Sequence, residues 1–203
     1  MKVLGFCGSP RKGGNSDVMT DTFLKGAESV GAEIKKFFLA ELDIRQCQGC
    51  FRNCMLGPEN RCKIHRDDMD IIIPEMISAD VMLFTSPLYC AIYSAIMARF
   101  LERCLPFWEV EITGEPGIPE SYNILSNPVK GKKAVIGIVH DFKIPQVADL
   151  AFKAFEHNIA EIYMMNIVAK LHVTDVRDVG DINQKKEELD KIFETAKRIV
   201  AEG

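Results

Sequence analysis

Short apolar runs of strand length alternate with amphipathic segments of helix length along the whole chain. The apolar runs predict strands over residues 2–6, 32–39, 80–86, 133–139 and 161–168. The segments between and after them predict helices over residues 16–31, 67–77, 94–105, 147–157 and 183–201. Because parallel neighbours need long crossover connections, this alternation predicts a parallel sheet with helices on both faces.

Five strands in this rhythm predict an α/β fold, a flavodoxin-like three-layer sandwich with its parallel sheet in the order 2-1-3-4-5. The length of 203 residues suits a single domain over residues 1–203. Two parts stand outside the alternation: a cysteine-rich loop over residues 47–62, and an excursion over residues 106–131 that proline and glycine predict to be irregular. Ligands of such sheets bind beyond the carboxyl ends of the strands.

Charge and hydropathy exclude several classes of partner. The formal net charge is −4, so no basic field favours nucleic acid. The apolar runs are shorter than the roughly 20 residues that a membrane-spanning helix needs. Met1 and Lys2 lead directly into an apolar strand without a signal-peptide pattern, so we expect a cytoplasmic protein with no membrane partner.

The loop after the first strand, "CGSPRKGGNS" at residues 7–16, has the composition of an anion site. It opens a helix, and a helix N-terminus favours a bound anion. Ser9, Asn15 and Ser16 offer hydrogen bonds, and Arg11 and Lys12 offer positive charge. The loop matches neither the nucleoside-triphosphate nor the dinucleotide fingerprint, so a monophosphate fits better. The alternative is a plain turn in which Asn15 or Ser16 caps the helix.

Four cysteines fall in "CQGCFRNCMLGPENRC", which spans residues 47–62 with the spacing C-x2-C-x3-C-x7-C. In a reducing compartment, such clusters more often serve metal or redox chemistry than disulfides. Three interpretations stay open: a [4Fe–4S] cluster, a tetrahedral zinc site, or thiols with a structural or redox-switching role. The candidate ligands are Cys47, Cys50, Cys54 and Cys62.

Taken together, the motifs resemble the iron–sulfur flavoprotein branch of the NAD(P)H-dependent FMN reductase superfamily. The most specific parts are "GSPRKGGNS" in the first loop and "SPLY" at residues 86–89, joined by "DDM" at 67–69 and "SAIMARFLER" at 94–103. The resemblance implies that Ser9, Arg11, Asn15 and Ser16 hold the FMN phosphate, with Lys12 adding charge. It also implies that the ribityl chain and flavin ring lie along Pro87, Leu88, Tyr89, Cys90 and Ile92.

Two features depart from the family pattern. The related branch uses a C-x2-C-x2-C run before its fourth cysteine, whereas this chain has an extra residue before Cys54. The loop after the fourth strand reads "HDFKIPQ" at residues 140–146 instead of small residues. Flavin contacts from this loop would therefore come from the side chains of His140, Asp141 or Phe142.

The resemblance implies an FMN-dependent oxidoreductase or electron-transfer flavoprotein. Its donor would be a reduced nicotinamide or a protein, and its electrons would pass to a small acceptor or to a nearby cluster. The flavin itself carries this chemistry, so no side chain is assigned a catalytic role. The resemblance also implies a homo-oligomer, a dimer or tetramer, in which the cysteine loop of one subunit faces the flavin of another. The alternatives are a non-enzymatic electron carrier and a zinc- or thiol-based redox sensor.

Overall fold

The computed structural model describes residues 1–50, 52–114 and 121–202. In chain order its strands are Lys2–Cys7 (β1), Glu33–Phe38 (β2), Val81–Tyr89 (β3), Ile92–Tyr93 (β4), Glu109–Thr113 (β5), Ser121–Ser126 (β6), Lys133–Val139 (β7) and Asn166–Val173 (β8). The central sheet runs β2-β1-β3-β7-β8, and all four pairings along it are parallel. Its parallel strands therefore follow the predicted order 2-1-3-4-5, which confirms the flavodoxin-like α/β fold.

The sheet has one strand more than the five predicted. After β3, the chain turns at Cys90 and Ala91, and β4 returns antiparallel along the end of β3. The sixth strand was missed because it is only two residues long and continues the same apolar stretch.

The described residues form six α-helices: Asn15–Glu28 (α1), Arg52–Met55 (α2), Met69–Ser78 (α3), Ala95–Glu102 (α4), Asp149–Glu156 (α5) and Lys186–Ala201 (α6). Side chains of α1 and α6 form one core with one sheet face, and those of α3, α4 and α5 form a second core with the other. In the second core Phe6 stacks on Phe37, Phe84 and Phe100, with ring centroids 4.9–5.4 Å apart. Burial on both faces explains why the central strands are almost continuously apolar.

The fifth predicted strand, over residues 161–168, was placed too early. Residues His157–Ile162 instead extend α5 as a π-helical turn, and β8 begins only at Asn166. Short apolar runs fit a buried helix turn as well as a strand, and here Ile159 and Tyr163 are buried against the core from the helical turn. β8 therefore ends at Val173 instead of residue 168, and the loop at the carboxyl edge of the sheet begins after it.

The excursion over residues 106–131 was wrongly predicted to be irregular, because β5 and β6 pair in it as an antiparallel hairpin. Residues 115–120, which include Pro116 and Pro119, lie outside the described residues. The cysteine-rich loop also contains the short helix α2, which packs through Met55 against Val110 of the hairpin. None of the helices in the described ranges combines the length and apolar character of a membrane span.

Candidate functional site

The carboxyl ends of four neighbouring strands surround a cavity of about 270 Å³. The β1–α1 loop and the end of β3 form one part of its wall. The carboxyl end of β7, with the residues that follow it, and the loop after β8 form the rest. The lining residues are Arg11, Asn15, Ser16, Pro87, Leu88, Tyr89, Val139, His140, Asp141, Val176 and Arg177. The cavity thus lies where a flavodoxin-like sheet is expected to bind its ligand.

Ser16 is the side chain that most clearly needs a ligand. It lies in the first turn of α1, is 1% exposed, and its Oγ has no hydrogen-bond partner among the described residues. A buried hydroxyl without a partner is unfavourable, so its position on a cavity wall is best explained by an acceptor that binds there.

The backbone of the first loop forms the cradle beside Ser16. Gly13 has φ +70°, a conformation that suits glycine. A Cβ atom on Gly14 would lie 2.8 Å from the Arg11 carbonyl oxygen, so a side chain would force the loop open. The N–H groups of Arg11, Gly13 and Gly14 bond to Ser9 Oγ, the Asp17 carboxylate and the Arg11 carbonyl. The donors expected to remain for an anion are those of the first turn of α1, at the N-terminus of that helix.

The other predicted phosphate ligands differ in whether they line the cavity and in what they already contact. Arg11 lines the cavity, whereas Lys12 is exposed and pairs with Glu41 at 2.8 Å. Ser9 Oγ accepts the N–H of Arg11 at 3.0 Å, so it shapes the loop itself. Asn15 also lines the cavity, but its amide donates to the Asp178 carbonyl and accepts from the Ile182 N–H. Asn15 therefore ties α1 to the loop after β8.

A second arginine, Arg177, lies on the opposite wall and was not identified from the sequence. The Arg11 guanidinium donates to the Arg177 carbonyl at 3.4 Å, and the Arg177 guanidinium pairs with Asp141 at 3.3 Å. Two exposed guanidinium groups and one carboxylate thus border the cavity, which leaves its rim with excess positive charge. Arg177 lies in the loop after β8, where no sequence motif distinguishes it from the other charged residues.

The β3–β4 hairpin supplies the apolar wall. Pro87, Leu88 and Tyr89 line the cavity, whereas Cys90 and Ile92 are exposed and lie outside its lining. Cys90 and Ala91 both have positive φ, +49° and +63°, the signature of a two-residue type I′ hairpin turn. Ser94 Oγ donates to the Gly8 carbonyl at 2.5 Å and so joins the hairpin to the first loop.

His140 and His172 form a pair in which His140 is buried and lines the cavity, whereas His172 is half-buried on β8. Their Nε2 atoms are 2.8 Å apart, so one ring donates and the other accepts. His140 is 4% exposed, and its Nδ1 has no partner within the described residues. Burial lowers the pKa of both imidazoles, and Asp141 and Asp149 offset part of this effect. Of the residues in the loop 140–146, His140 and Asp141 line the cavity and Phe142 does not.

The four predicted ligand cysteines share a separate, smaller cavity. Cys47, Cys50, Cys54 and Cys62 all line it, together with His65 and Arg103. Cys54 and Cys62 are buried, and Cys47 and Cys50 are half-buried. Burial and the three neighbouring cysteines raise the pKa of Cys54 to about 11. The thiols therefore surround one common space, as a shared ligand set would.

That space is small as it stands. Its volume is about 20 Å³, roughly enough for one water molecule. Across residues 1–50, 52–114 and 121–202, no group of three or more His, Cys, Asp or Glu side chains is arranged so that it could hold a metal ion. The residues fit a four-thiolate group in number and chemistry, and the cysteine segment must expand to admit it.

Comparison with known proteins agrees with this geometry. The sequence model of one family, described as NADPH-dependent FMN reductase, matches residues 1–122, which is more than half of the chain. An iron–sulfur flavoprotein of Archaeoglobus fulgidus is 37% identical over 107 residues, covering 53% of this chain and 47% of that protein. One of Methanosarcina thermophila is 26% identical over 142 residues, covering 70% and 72%. The chain's match spans about half the length of the first two curated relatives.

Solved structures show the same fold at low sequence identity. The NAD(P)H:quinone oxidoreductase of Methanothermobacter marburgensis superposes with a TM-score of 0.65 at 12% identity, covering 98% of this chain and 96% of that one. Because it covers 98% of this chain, this likeness in fold includes β7, β8 and α6, which lie beyond the residues that the family model matches.

Proposed function

Because the chain belongs to the NADPH-dependent FMN reductase family, we propose that it is an FMN-binding oxidoreductase whose flavin lies in the 270 Å³ cavity. The observation that carries this proposal is the unpartnered Ser16 hydroxyl, buried at the N-terminus of α1 beside a glycine cradle. An FMN phosphate would supply the missing acceptor.

Each wall of the cavity has a role in this proposal. Ser16, Arg11 and the main-chain N–H groups in the first turn of α1 hold the phosphate, and Arg177 adds charge from the facing loop. Pro87, Leu88 and Tyr89 lie along the remainder of the cofactor and exclude water from it. Bound FMN supplies the two-electron and one-electron chemistry, and these residues bind and orient it.

The four cysteines are proposed to hold a [4Fe–4S] cluster. A zinc ion needs every ligand atom within about 2.3 Å of one point, which favours tightly converging thiols. A cluster is larger and accepts thiolates that stand farther apart. The four cysteines around one space can supply either ligand set, and the curated relatives named iron–sulfur flavoproteins favour the cluster.

The remaining parts of the proposal follow from the family and from the relatives' names. A reduced nicotinamide is the proposed electron donor. A homo-oligomer in the cytoplasm is the proposed working form, with the cysteine segment of one subunit near the flavin of another.

The test is an anaerobic absorbance spectrum of purified protein, with FMN, iron, sulfide and zinc quantified on the same sample. We expect one FMN per chain and about four irons per chain. Stoichiometric FMN without iron would retain the flavoprotein and overturn the cluster. Stoichiometric zinc would assign the cysteines to that metal, and failure to take up added FMN would overturn the central proposal.

A second measurement separates an enzyme from a carrier. We expect the FMN-loaded protein to oxidise NADH or NADPH with a small quinone as acceptor. A protein that binds FMN but oxidises neither nucleotide would be an electron carrier instead.

A further inference from the structure

The cysteine segment, residues 47–62, is closed at its base by a network of hydrogen bonds. We call this base the neck, formed by residues 43–46 before the first cysteine and 65–68 after the last. Two hydrogen bonds link Asp43 with Asp68. The Asp43 N–H donates to the Asp68 carboxylate at 2.7 Å, and the Asp68 N–H donates to the Asp43 carbonyl at 3.0 Å. His65 Nε2 lies 3.0 Å from the Gln46 carbonyl oxygen.

A buried ion pair crosses the neck. Arg103 and Asp67 side chains are 3% and 1% exposed, and the guanidinium donates to both carboxylate oxygens, at 2.6 and 3.1 Å. Burial alone would raise the pKa of Asp67, but hydrogen bonds from Arg103 and from the Arg45 N–H outweigh it and lower that pKa. The pair is therefore charged at neutral pH.

The same two side chains hold the main chain of one residue, Arg45, on both sides of its Cα. Arg103 Nη1 donates to the Arg45 carbonyl at 2.6 Å, and the Arg45 N–H donates to the Asp67 carboxylate at 3.0 Å. Arg45 is two residues before Cys47. Arg103 also lines the cavity that the four cysteines share. The ion pair thus connects α3, the end of α4 and the start of the cysteine segment at one point.

Stability alone does not explain a pair in this position. A buried ion pair loses hydration, and apolar residues of similar volume often stabilise a fold as well. What apolar residues lack is the set of directed bonds that fixes the Arg45 main chain. Such outer partners orient metal ligands without touching the metal.

We propose that the Asp67–Arg103 pair is a positioning device for the cysteines, which fixes the Arg45 backbone and thereby sets Cys47 opposite Cys54 and Cys62. Asp67 and Arg103 act through the main chain and are positioning residues. The inference rests on the proposed role of the cysteines as one ligand set.

The test compares Asp67→Asn with Asp70→Asn. Asp70 lies in the first turn of α3, three residues after Asp67, and pairs with Arg61 near the far end of the cysteine segment at 3.1 Å, but both side chains of that pair are partly exposed. The first readout is hydrogen exchange of residues 43–50, followed by mass spectrometry on FMN-loaded protein. We expect Asp67→Asn to speed this exchange about tenfold or more, because the segment opens locally. Asp70→Asn should leave it unchanged.

The second readout is iron and sulfide bound per chain after anaerobic reconstitution with limiting iron. Asp67→Asn should lose about half or more of this iron while retaining FMN, since loss of an outer partner typically weakens metal binding 10- to 100-fold. Arg103→Lys keeps the charge but not the planar two-pronged donor, so it should behave like Asp67→Asn.

An apolar double variant, Asp67→Leu with Arg103→Met, separates positioning from stability. It should fold and bind FMN, yet show fast exchange over residues 43–50. Wild-type exchange in this variant, in Asp67→Asn or in Arg103→Lys would overturn the proposal, as would an equal effect of Asp70→Asn. If the wild type binds no iron, the cluster proposal fails, while the exchange measurements still decide whether the pair fixes the segment.

Discussion

Ser16 is the residue on which the flavin site can be tested most directly. Ser16→Ala removes a buried hydroxyl that has no partner in the described structure. We expect FMN affinity to fall about 10- to 100-fold, because a hydrogen bond to a charged group is lost. The free energy of unfolding of FMN-free protein should not fall. Fluorescence titration of FMN and urea unfolding measure the two quantities.

Ser29→Ala is the matched control at the other end of the same helix. Ser29 Oγ donates to the Gly26 carbonyl at 2.7 Å, so its loss removes an existing hydrogen bond. This variant should be less stable and bind FMN normally. If Ser16→Ala also unfolded more easily and bound FMN like the wild type, the hydroxyl would have a structural role only.

Ala91 carries backbone strain in the β3–β4 turn. Its φ of +63° is unfavourable for alanine and suits glycine, which prevails at this position of type I′ turns. We expect Ala91→Gly to stabilise the protein by about 1 kcal/mol in urea unfolding. Ala95→Gly, in the exposed first turn of α4, should instead destabilise it by up to about 1 kcal/mol. Equal changes in the free energy of unfolding for Ala91→Gly and Ala95→Gly would contradict the backbone strain at Ala91.

At the scale of elements, the packing of α1 against α6 depends on Gly26. A Cβ atom there would lie within contact of the Phe193 backbone, only 2.4 Å from its carbonyl oxygen. Gly26→Ala should therefore destabilise the protein by about 1–3 kcal/mol, although alanine favours helices in general. Lys25→Ala, on the exposed side of α1, should change the unfolding free energy by less than about 0.5 kcal/mol. If Gly26→Ala raised the free energy of unfolding, α1 and α6 would be able to move apart without a loss of packing.

The elements that the sequence predicted well are those with strong, uninterrupted patterns. β1, β3 and β7 are central strands buried on both faces, so their apolar runs leave little ambiguity. The β1–α1 loop was placed correctly for the same reason. Position along the chain could not show that Asn15 is committed to Asp178 and Ile182, because those contacts cross more than 160 residues.

The misplaced fifth strand had the largest effect on the site. Residues 157–162 form a π-helical turn whose apolar side chains resemble a strand in sequence. The predicted strand ended at residue 168 instead of Val173, so the start of the loop that carries Val176 and Arg177 was misplaced. The His140–His172 pair escaped notice for the same reason, since His172 belongs to the true β8.

At the scale of the whole molecule, the His140–His172 pair makes stability depend on pH. Burial lowers the pKa of His140 and His172 in the folded protein, so the unfolded chain binds more protons near pH 6. Their contribution is fully present above the unfolded value of about 6.5 and is lost as the pH falls through that value toward the folded ones. We expect the unfolding free energy to decrease between pH 7.5 and about 5.5.

Urea unfolding at several pH values checks this expectation. His140→Gln should reduce the slope of the unfolding free energy against pH. His157 is exposed and pairs with Glu161 at 3.0 Å, so His157→Gln is the control and should leave the slope near that of the wild type. If His140→Gln kept the full slope, acidic groups elsewhere would account for it.

Because the neck holds both of its ends, the cysteine segment can change in evolution separately from the central sheet. Its two ends are fixed to each other and to α3 and α4, so the interior can gain or lose a residue without disturbing the sheet. Such a change would alter the path between one cysteine and the next and the packing of α2 on the β5–β6 hairpin, both outside the central sheet. In a scaffold of this kind, what the cysteine segment binds can change or be lost during evolution while the flavodoxin-like fold stays intact.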